Sequence, residues 1–239
     1  MKSRLGVNVD HIATLRNARG EGHPDPISYA RQVMNFGANS ITIHLREDRR
    51  HIRDEDVAIF SKIKRVPINL EMAANNEMLK IALKYKPNFV CIVPEKRNEI
   101  TTEGGLNITK NKKIIKKVIS KLNSKKIRTS LFINPNIKDV FASKELNAKC
   151  VELHTGKFAL KVKNNKNYLV EFKKIKNCAK LAKKLGMEVH AGHGLDYKST
   201  KILRKIKSIE EFNIGHFIIG EAIMFGMKKV ITNFRKILN

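Results

Sequence analysis

Ile41-Thr42-Ile43-His44-Leu45-Arg46-Glu47-Asp48-Arg49-Arg50-His51-Ile52-Arg53-Asp54-Glu55-Asp56 starts as a strand and ends as the opening of a helix. Ile41, Ile43 and Leu45 alternate with Thr42 and His44, which is the two-residue period of a buried strand. A dense run of charge then begins at Arg46. His44 and Arg46 are two positions apart, so they leave the strand end on one side. Asp54 is suited to cap a helix over about 54–64, and Glu55 and Asp56 suit its first turn.

Working outward, the same unit recurs along the chain. Short apolar segments read as strands at 5–11, 40–46, 68–72, 89–93, 129–133, 150–154, 187–194 and 212–214. Longer amphipathic segments read as helices at 27–36, 54–64, from Asn75 through Leu83, 111–122, 137–146, 168–185, 196–206 and 223–237. Gly37 and Gly186 stand just past two of these helices, where left-handed backbone ends a helix. Eight strand–helix units in 239 residues predict one (β/α)8 TIM barrel of the α/β class, a single domain over 1–239 with room for a few extra helices. A doubly wound open sheet would need a glycine-rich phosphate turn after its first strand, and Val9-Asp10-His11-Ile12-Ala13 has none.

Composition narrows the function. Three cysteines, Cys91, Cys150 and Cys178, lie far apart, which argues against a zinc knuckle, a redox pair or a secreted disulfide scaffold. The N-terminus has no apolar leader, and no apolar run approaches the ~18 residues of a membrane span. A cytoplasmic protein with no membrane partner is expected. The net charge of +26 invites nucleic acid as a partner. Its distribution argues otherwise. Residues 1–100 hold 17 Lys and Arg against 12 Asp and Glu, whereas 101–239 hold 31 against 10. The excess is lysine on amphipathic helices, without interleaved aromatics.

The chemistry collects at the predicted strand ends. His11, His44, His154, His193 and His216 lie there, and His51 follows one closely. Asp10, Glu71 and Glu152 occupy strand positions that packing alone would make apolar. In an eight-stranded barrel all strand C-termini converge on the face that carries the active site. Imidazoles and carboxylates gathered there suit acid–base catalysis near neutral pH. Gly192-His193-Gly194 and Gly215-His216, after strands seven and eight, suit a phosphate held by backbone N–H groups. Arg16, Arg19 and Arg46 are candidates for a second anion site. The loop 94–105 is a candidate lid, with Gly104-Gly105 as its hinge and Thr101 and Thr102 as substrate contacts.

Long motifs then point to a family. Gly6-Val7-Asn8-Val9-Asp10-His11-Ile12-Ala13-Thr14-Leu15-Arg16-Asn17-Ala18-Arg19-Gly20, the stretch from Thr42 to Ile52, and Asn69-Leu70-Glu71-Met72-Ala73 resemble the pyridoxine 5′-phosphate synthases. So do Val93-Pro94-Glu95-Lys96-Arg97, Thr101-Thr102-Glu103-Gly104-Gly105, Glu152-Leu153-His154-Thr155-Gly156, Ala191-Gly192-His193-Gly194-Leu195 and Asn213-Ile214-Gly215-His216. The resemblance covers essentially the whole chain. It implies a vitamin B6 enzyme that condenses 3-amino-2-oxopropyl phosphate with 1-deoxy-D-xylulose 5-phosphate. Pyridoxine 5′-phosphate, phosphate and water are the products. It also implies general-base roles for His44 and Glu71, a proton-donor role for His193 and transition-state stabilisation by Glu152. Asn8, Arg19, Gly194, Gly215 and His216 match the aminoketone phosphate site. Asp10, His11, Arg46, His51 and Thr101 match the deoxyxylulose phosphate site. No metal or organic cofactor is implied, and a homo-octamer is. Departures lie in the two lysine-rich helices, at His190 and at Asn134-Pro135.

Two rival readings accompany this one. A metal-dependent barrel hydrolase would also use His and carboxylates, although no His-x-His or helical His-x-x-x-His pair is present. A basic nucleic-acid-binding protein would rest on the charge alone.

Overall fold

The computed structural model describes residues 2–96, 99 and 104–239, and in it eight parallel strands close into a barrel in chain order. They are β1 (Arg4–Asn8), β2 (Ser40–His44), β3 (Ile68–Met72), β4 (Phe89–Ile92), β5 (Arg128–Ile133), β6 (Cys150–His154), β7 (Glu188–Gly192) and β8 (Glu211–Ile214). The helices that alternate with them are α1 (Asp10–Arg19), α2 (Pro26–Asn35), α3 (Asp54–Phe60), α4 (Asn76–Tyr85), α5 (Lys112–Ser124) and α6 (Ile137–Glu145). The second half adds α7 (Gly156–Lys163), α8 (Leu169–Lys184), α9 (Tyr197–Leu203), α10 (His216–Phe225) and α11 (Met227–Leu238).

Strand alternation sorts the side chains into two layers. Leu5, Val7, Ile41, Ile43, Val90, Ile92, Leu131, Ile133, Val151, Leu153, Phe212 and Ile214 are buried in the core shared with the helices. Positions of the other parity are mostly polar, with Phe89, Cys91, Phe132 and Cys150 as the exceptions among larger side chains. The polar side chains reach over intervening strands: Asn213 of β8 donates to Glu152 of β6, and Ser40 of β2 donates to Glu211 of β8. The barrel axis is therefore lined by hydrogen-bonding groups, and hydrophobic stabilisation comes from the strand–helix layer. At the strand starts, Arg4 pairs with Glu188 and Glu211, Arg128 pairs with Glu188, and His190 lies 3.1 Å from Glu188.

Helix starts follow the side-chain chemistry. Asp25 accepts from the N–H groups of Ile27 and Ser28, Asn75 from Met78, and Asp196 from Ser199. The start of α3 differs from expectation. Asp54 opens the first turn, and Asp56 reaches back to accept the Arg53 N–H at 2.8 Å.

Three departures from the sequence reading change which elements are present, besides shorter shifts that end β2 at His44, α3 at Phe60 and β7 at Gly192. The first strand stops at Asn8, so Asp10 and His11 begin α1 instead of ending a strand. Ile12, Ala13 and Arg16 are the buried face of that helix, a helical spacing that a strand reading overlooks. The segment after Thr155, read as a polar loop, forms α7, with Phe158, Ala159 and Val162 buried. The final helix is two, α10 and α11, parted at Gly226, whose φ is 78°.

Candidate active site

The acid–base groups meet at the C-terminal mouth. β2 pairs with β3 so that His44 faces Glu71 across the ladder. His44 Nδ1 lies 3.7 Å from Glu71 Oε2, and its Nε2 lies 3.2 Å from Glu95 Oε1. Asp10, at the first position of α1, accepts the His44 backbone N–H at 2.8 Å and the Asn8 side-chain N–H at 2.7 Å. Burial raises the Asp10 carboxyl, while the His44 imidazole and these donors pull the other way. Burial also raises Glu71 well above the ordinary carboxylate value, and the charges of Glu152 and Asp10 add to it.

Glu152 lies deeper, 2% exposed, and burial lifts its pKa to about 7 against the pull of His190 and Asn213. Asn213 Nδ2 donates to it at 2.6 Å. Room for this carboxylate comes from Gly192, because a Cβ there would run into Glu152 Oε1. His193 follows with φ 80°, a left-handed conformation in which His is enriched but still strained. Its ring stacks on His154 with centroids 4.7 Å apart, and its carbonyl accepts from Thr155 Oγ1 at 2.7 Å. Burial lowers the His193 pKa, which favours the neutral ring.

Two groups of anion-binding type stand at the same mouth, in contact through the rings of His11 and His216. In the first, Gly215 and the N-terminus of the ten-residue α10 lie beside Asn8, and Gly194 lies over Ala159 and Gly156 of α7. A Cβ at Gly215 would come within 2.8 Å of Asn8 Cβ, so glycine allows the close approach of β8 to β1. Unpaired N–H groups of a helix N-terminus attract phosphate. The second comprises Arg46, His51 and His11. Arg46 Nε is buried without a hydrogen bond and lies 3.5 Å from Asp48 Oδ1. His51 Nδ1 is 2.7 Å from Thr14 Oγ1, and the rings of His51, His11 and His216 form edge contacts in series. Burial lowers both His11 and His51 pKa values, helped by His216 at His11 and by His11 and Arg46 at His51.

A sequence model described as "Pyridoxal phosphate biosynthesis protein PdxJ" matches residues 5–239. A pyridoxine 5′-phosphate synthase of Pelagibacter ubique is 63% identical over 236 residues, covering 99% of both chains. The chain belongs to the PdxJ family. Its counterpart in Zymomonas mobilis is 50% identical, covering 99% of this chain and 91% of the relative. Among solved structures, 3-keto-L-gulonate-6-phosphate decarboxylase of Vibrio cholerae superposes with a TM-score of 0.68 at 12% identity, covering 100% and 98% of the two chains. That likeness is one of fold.

Asn8, His44, Arg46, His51, Glu71, His193, Gly194 and Gly215 lie at the strand C-termini or in the loops beyond; Asp10 and His11 open α1, His216 opens α10, and Glu152 is one turn of the pleat deeper in β6. Arg19 does not join them. It ends α1, is 78% exposed in its side chain and pairs with Glu21 at 3.1 Å. Arg16 is held elsewhere. Both of its terminal nitrogens hold Asp56, at 2.6 and 2.8 Å, and so tie α1 to α3. Thr101 and Thr102 lie outside the described residues. Gly105, proposed as a hinge, donates its N–H to Asn134 Oδ1 at 3.0 Å and is fastened to the end of β5.

Among the described residues two groups carry metal-type donors within 4.8 Å of one another: Asp10, His44 and Glu71, and Cys150, Glu188 and His190. The donors of the first are engaged with one another, Asn8 and Glu95, and the carboxylate of Glu188 is held by Arg4 and Arg128. Glu95 and Asn213 join the site without a sequence signal of their own, although both stand within the family-like motifs. No periodicity marks a loop carboxylate whose partner is 51 positions away. No helix of the described residues is long and apolar enough to cross a membrane.

Proposed function

We propose that this chain is a pyridoxine 5′-phosphate synthase that joins 3-amino-2-oxopropyl phosphate to 1-deoxy-D-xylulose 5-phosphate and releases phosphate and water. The observation that carries the reading is the gathering of His44, Glu71 and Glu152 at one mouth with two groups of anion-binding type, in a chain of the PdxJ family. The amine attacks a ketone to give an imine, phosphate leaves, and an aldol-type closure with loss of water forms the ring. Each step moves protons, and each needs a group with a pKa near the working pH.

His44 and Glu71 act as bases, His193 returns protons, and Glu152 steadies charge that develops in the ring-forming step. Glu152, at about 7, changes charge near neutrality, which suits that role. Gly194, Gly215, His216 and Asn8 take the aminoketone phosphate. Arg46, His51, His11 and Asp10 take the deoxyxylulose phosphate, with Thr101. The exposure of Arg19 supports a role at a neighbouring subunit's site in a homo-octamer. The protein works in the cytoplasm.

The test is incubation of the purified protein with both substrates. Pyridoxine 5′-phosphate should form, and none should form when either substrate is omitted. Glu71→Gln should abolish turnover while the circular dichroism spectrum stays unchanged. A folded protein that yields no product overturns the proposal.

A further inference from the structure

Glu95 stands three residues past β4, and its carboxylate crosses the end of β3 to reach the loop after β2. Val93 continues the β3 ladder by donating its N–H to the Met72 carbonyl at 3.0 Å, which aims the chain in that direction. Glu95's own N–H donates to Glu99 Oε2 at 2.9 Å. The side chain is 4% exposed, and both oxygens are used. Oε2 accepts the Glu47 backbone N–H at 2.8 Å, and Oε1 lies 3.2 Å from His44 Nε2. Burial acts to raise the Glu95 pKa, but the His44 hydrogen bond and the Glu47 N–H outweigh it and hold the group below its ordinary value. The carboxylate is ionised and has only acceptors to offer.

From this geometry we infer that Glu95 is the positioning residue that fixes the tautomer of His44, so that Nε2 carries the proton and Nδ1 is the nitrogen that takes protons during catalysis. An acceptor at 3.2 Å requires a donor on Nε2. The lone pair of neutral His44 is then on Nδ1, which faces Glu71 Oε2 at 3.7 Å. When His44 gains a proton, its charge is met by a carboxylate already in place, as in a carboxylate–imidazole dyad. The inference deepens the synthase reading and rests on it for the role of His44. The tautomer itself depends only on the fold.

Two measurements test it. The first is solid-state 15N NMR of the histidine-labelled wild-type protein at pH 7.5, with His44 assigned by difference from His44→Asn. The expected signal is a protonated Nε2 and a bare Nδ1. The reverse tautomer overturns the inference, whether or not the protein makes product.

The second is Glu95→Gln, with kinetics across pH. We expect kcat to fall by about 10²–10⁴-fold, the scale of one misplaced acid–base group, with KM for either substrate changed far less. The groups facing His44 are Glu71 on β3, Asp10 on α1, Glu95 after β4, and His51 in the loop after β2. Loss of the Glu95 charge makes imidazolium less stable, so the acid limb of kcat/KM should move to lower pH. Wild-type kcat with an unmoved acid limb overturns the proposal. If the wild-type protein makes no product, the synthase reading fails, and the NMR result still decides the tautomer.

Discussion

Replacing Glu152 by Gln should make the protein more stable, and the gain should depend on pH. Glu152 is buried, and its pKa rises from 4.5 to about 7 on folding. Between these values the folded protein binds a proton that the unfolded chain does not. Stability therefore falls as pH rises through that window and is lowest above pH 7. At about 1.4 kcal/mol per pH unit, the penalty reaches roughly 3 kcal/mol. Gln has nearly the same shape, carries no charge, and can still accept from Asn213 Nδ2. The gain over wild type should be near zero at pH 4.5 and about 3 kcal/mol at pH 8.5. For a chain of this size that is a rise in Tm of about 6–12 °C. Thermal unfolding of both proteins at equal concentration across this pH range checks it. A variant no more stable than wild type at pH 8.5, or a gain that does not vary with pH, refutes the reasoning. Catalytic activity should fall in the same variant, since a stored electrostatic penalty at a site is kept for function.

The remaining expectations concern residues that position the site. Arg16→Met should cost about 3–5 kcal/mol, because it leaves Asp56 buried without its partner. KM for both substrates should stay within twofold at temperatures where the variant is folded; a large KM change without a fall in Tm would make Arg16 an anion ligand after all. Gly192→Ala should reduce kcat/KM by ~10²-fold or more, because the new methyl displaces Glu152; unchanged kinetics would remove Glu152 from the reaction. Arg19→Ala and His193→Ala should each be nearly inactive alone. Co-expressed, they should recover about a quarter of wild-type activity if Arg19 serves a neighbouring subunit, the share of sites that random assembly leaves intact. A mixture that stays inactive places Arg19 in its own subunit.

The barrel was legible because strand alternation and helix caps are local. Ile41-Thr42-Ile43-His44 states its own two faces, and Asn75 and Asp196 mark their helix starts. Misreadings came where local patterns coincide. Val7-Asn8-Val9-Asp10-His11 keeps a two-residue alternation through the end of β1, so α1 was hidden until the helical spacing of Ile12, Ala13 and Arg16 was seen. Partners distant in sequence were invisible. Arg16 looks the same in sequence whether it waits for phosphate or grips Asp56, 40 positions away. The pairing of Glu95 with His44 depends on β4 and β2 flanking β3, which only the closed barrel supplies. Arg4, Arg128, Glu188 and Glu211 are charged residues at strand starts, and their network forms only once the closed barrel brings those starts together.

The most direct measurement is a crystal structure of the protein with 1-deoxy-D-xylulose 5-phosphate and a non-reacting analogue of the aminoketone phosphate. One phosphate should lie against Arg46 and His51, and the other against Gly194, Gly215 and His216. The carbon atoms between them should lie within reach of His44, Glu71, Glu152 and His193. Both phosphates bound to one of these groups, or carbon atoms out of reach of those four side chains, would contradict the account.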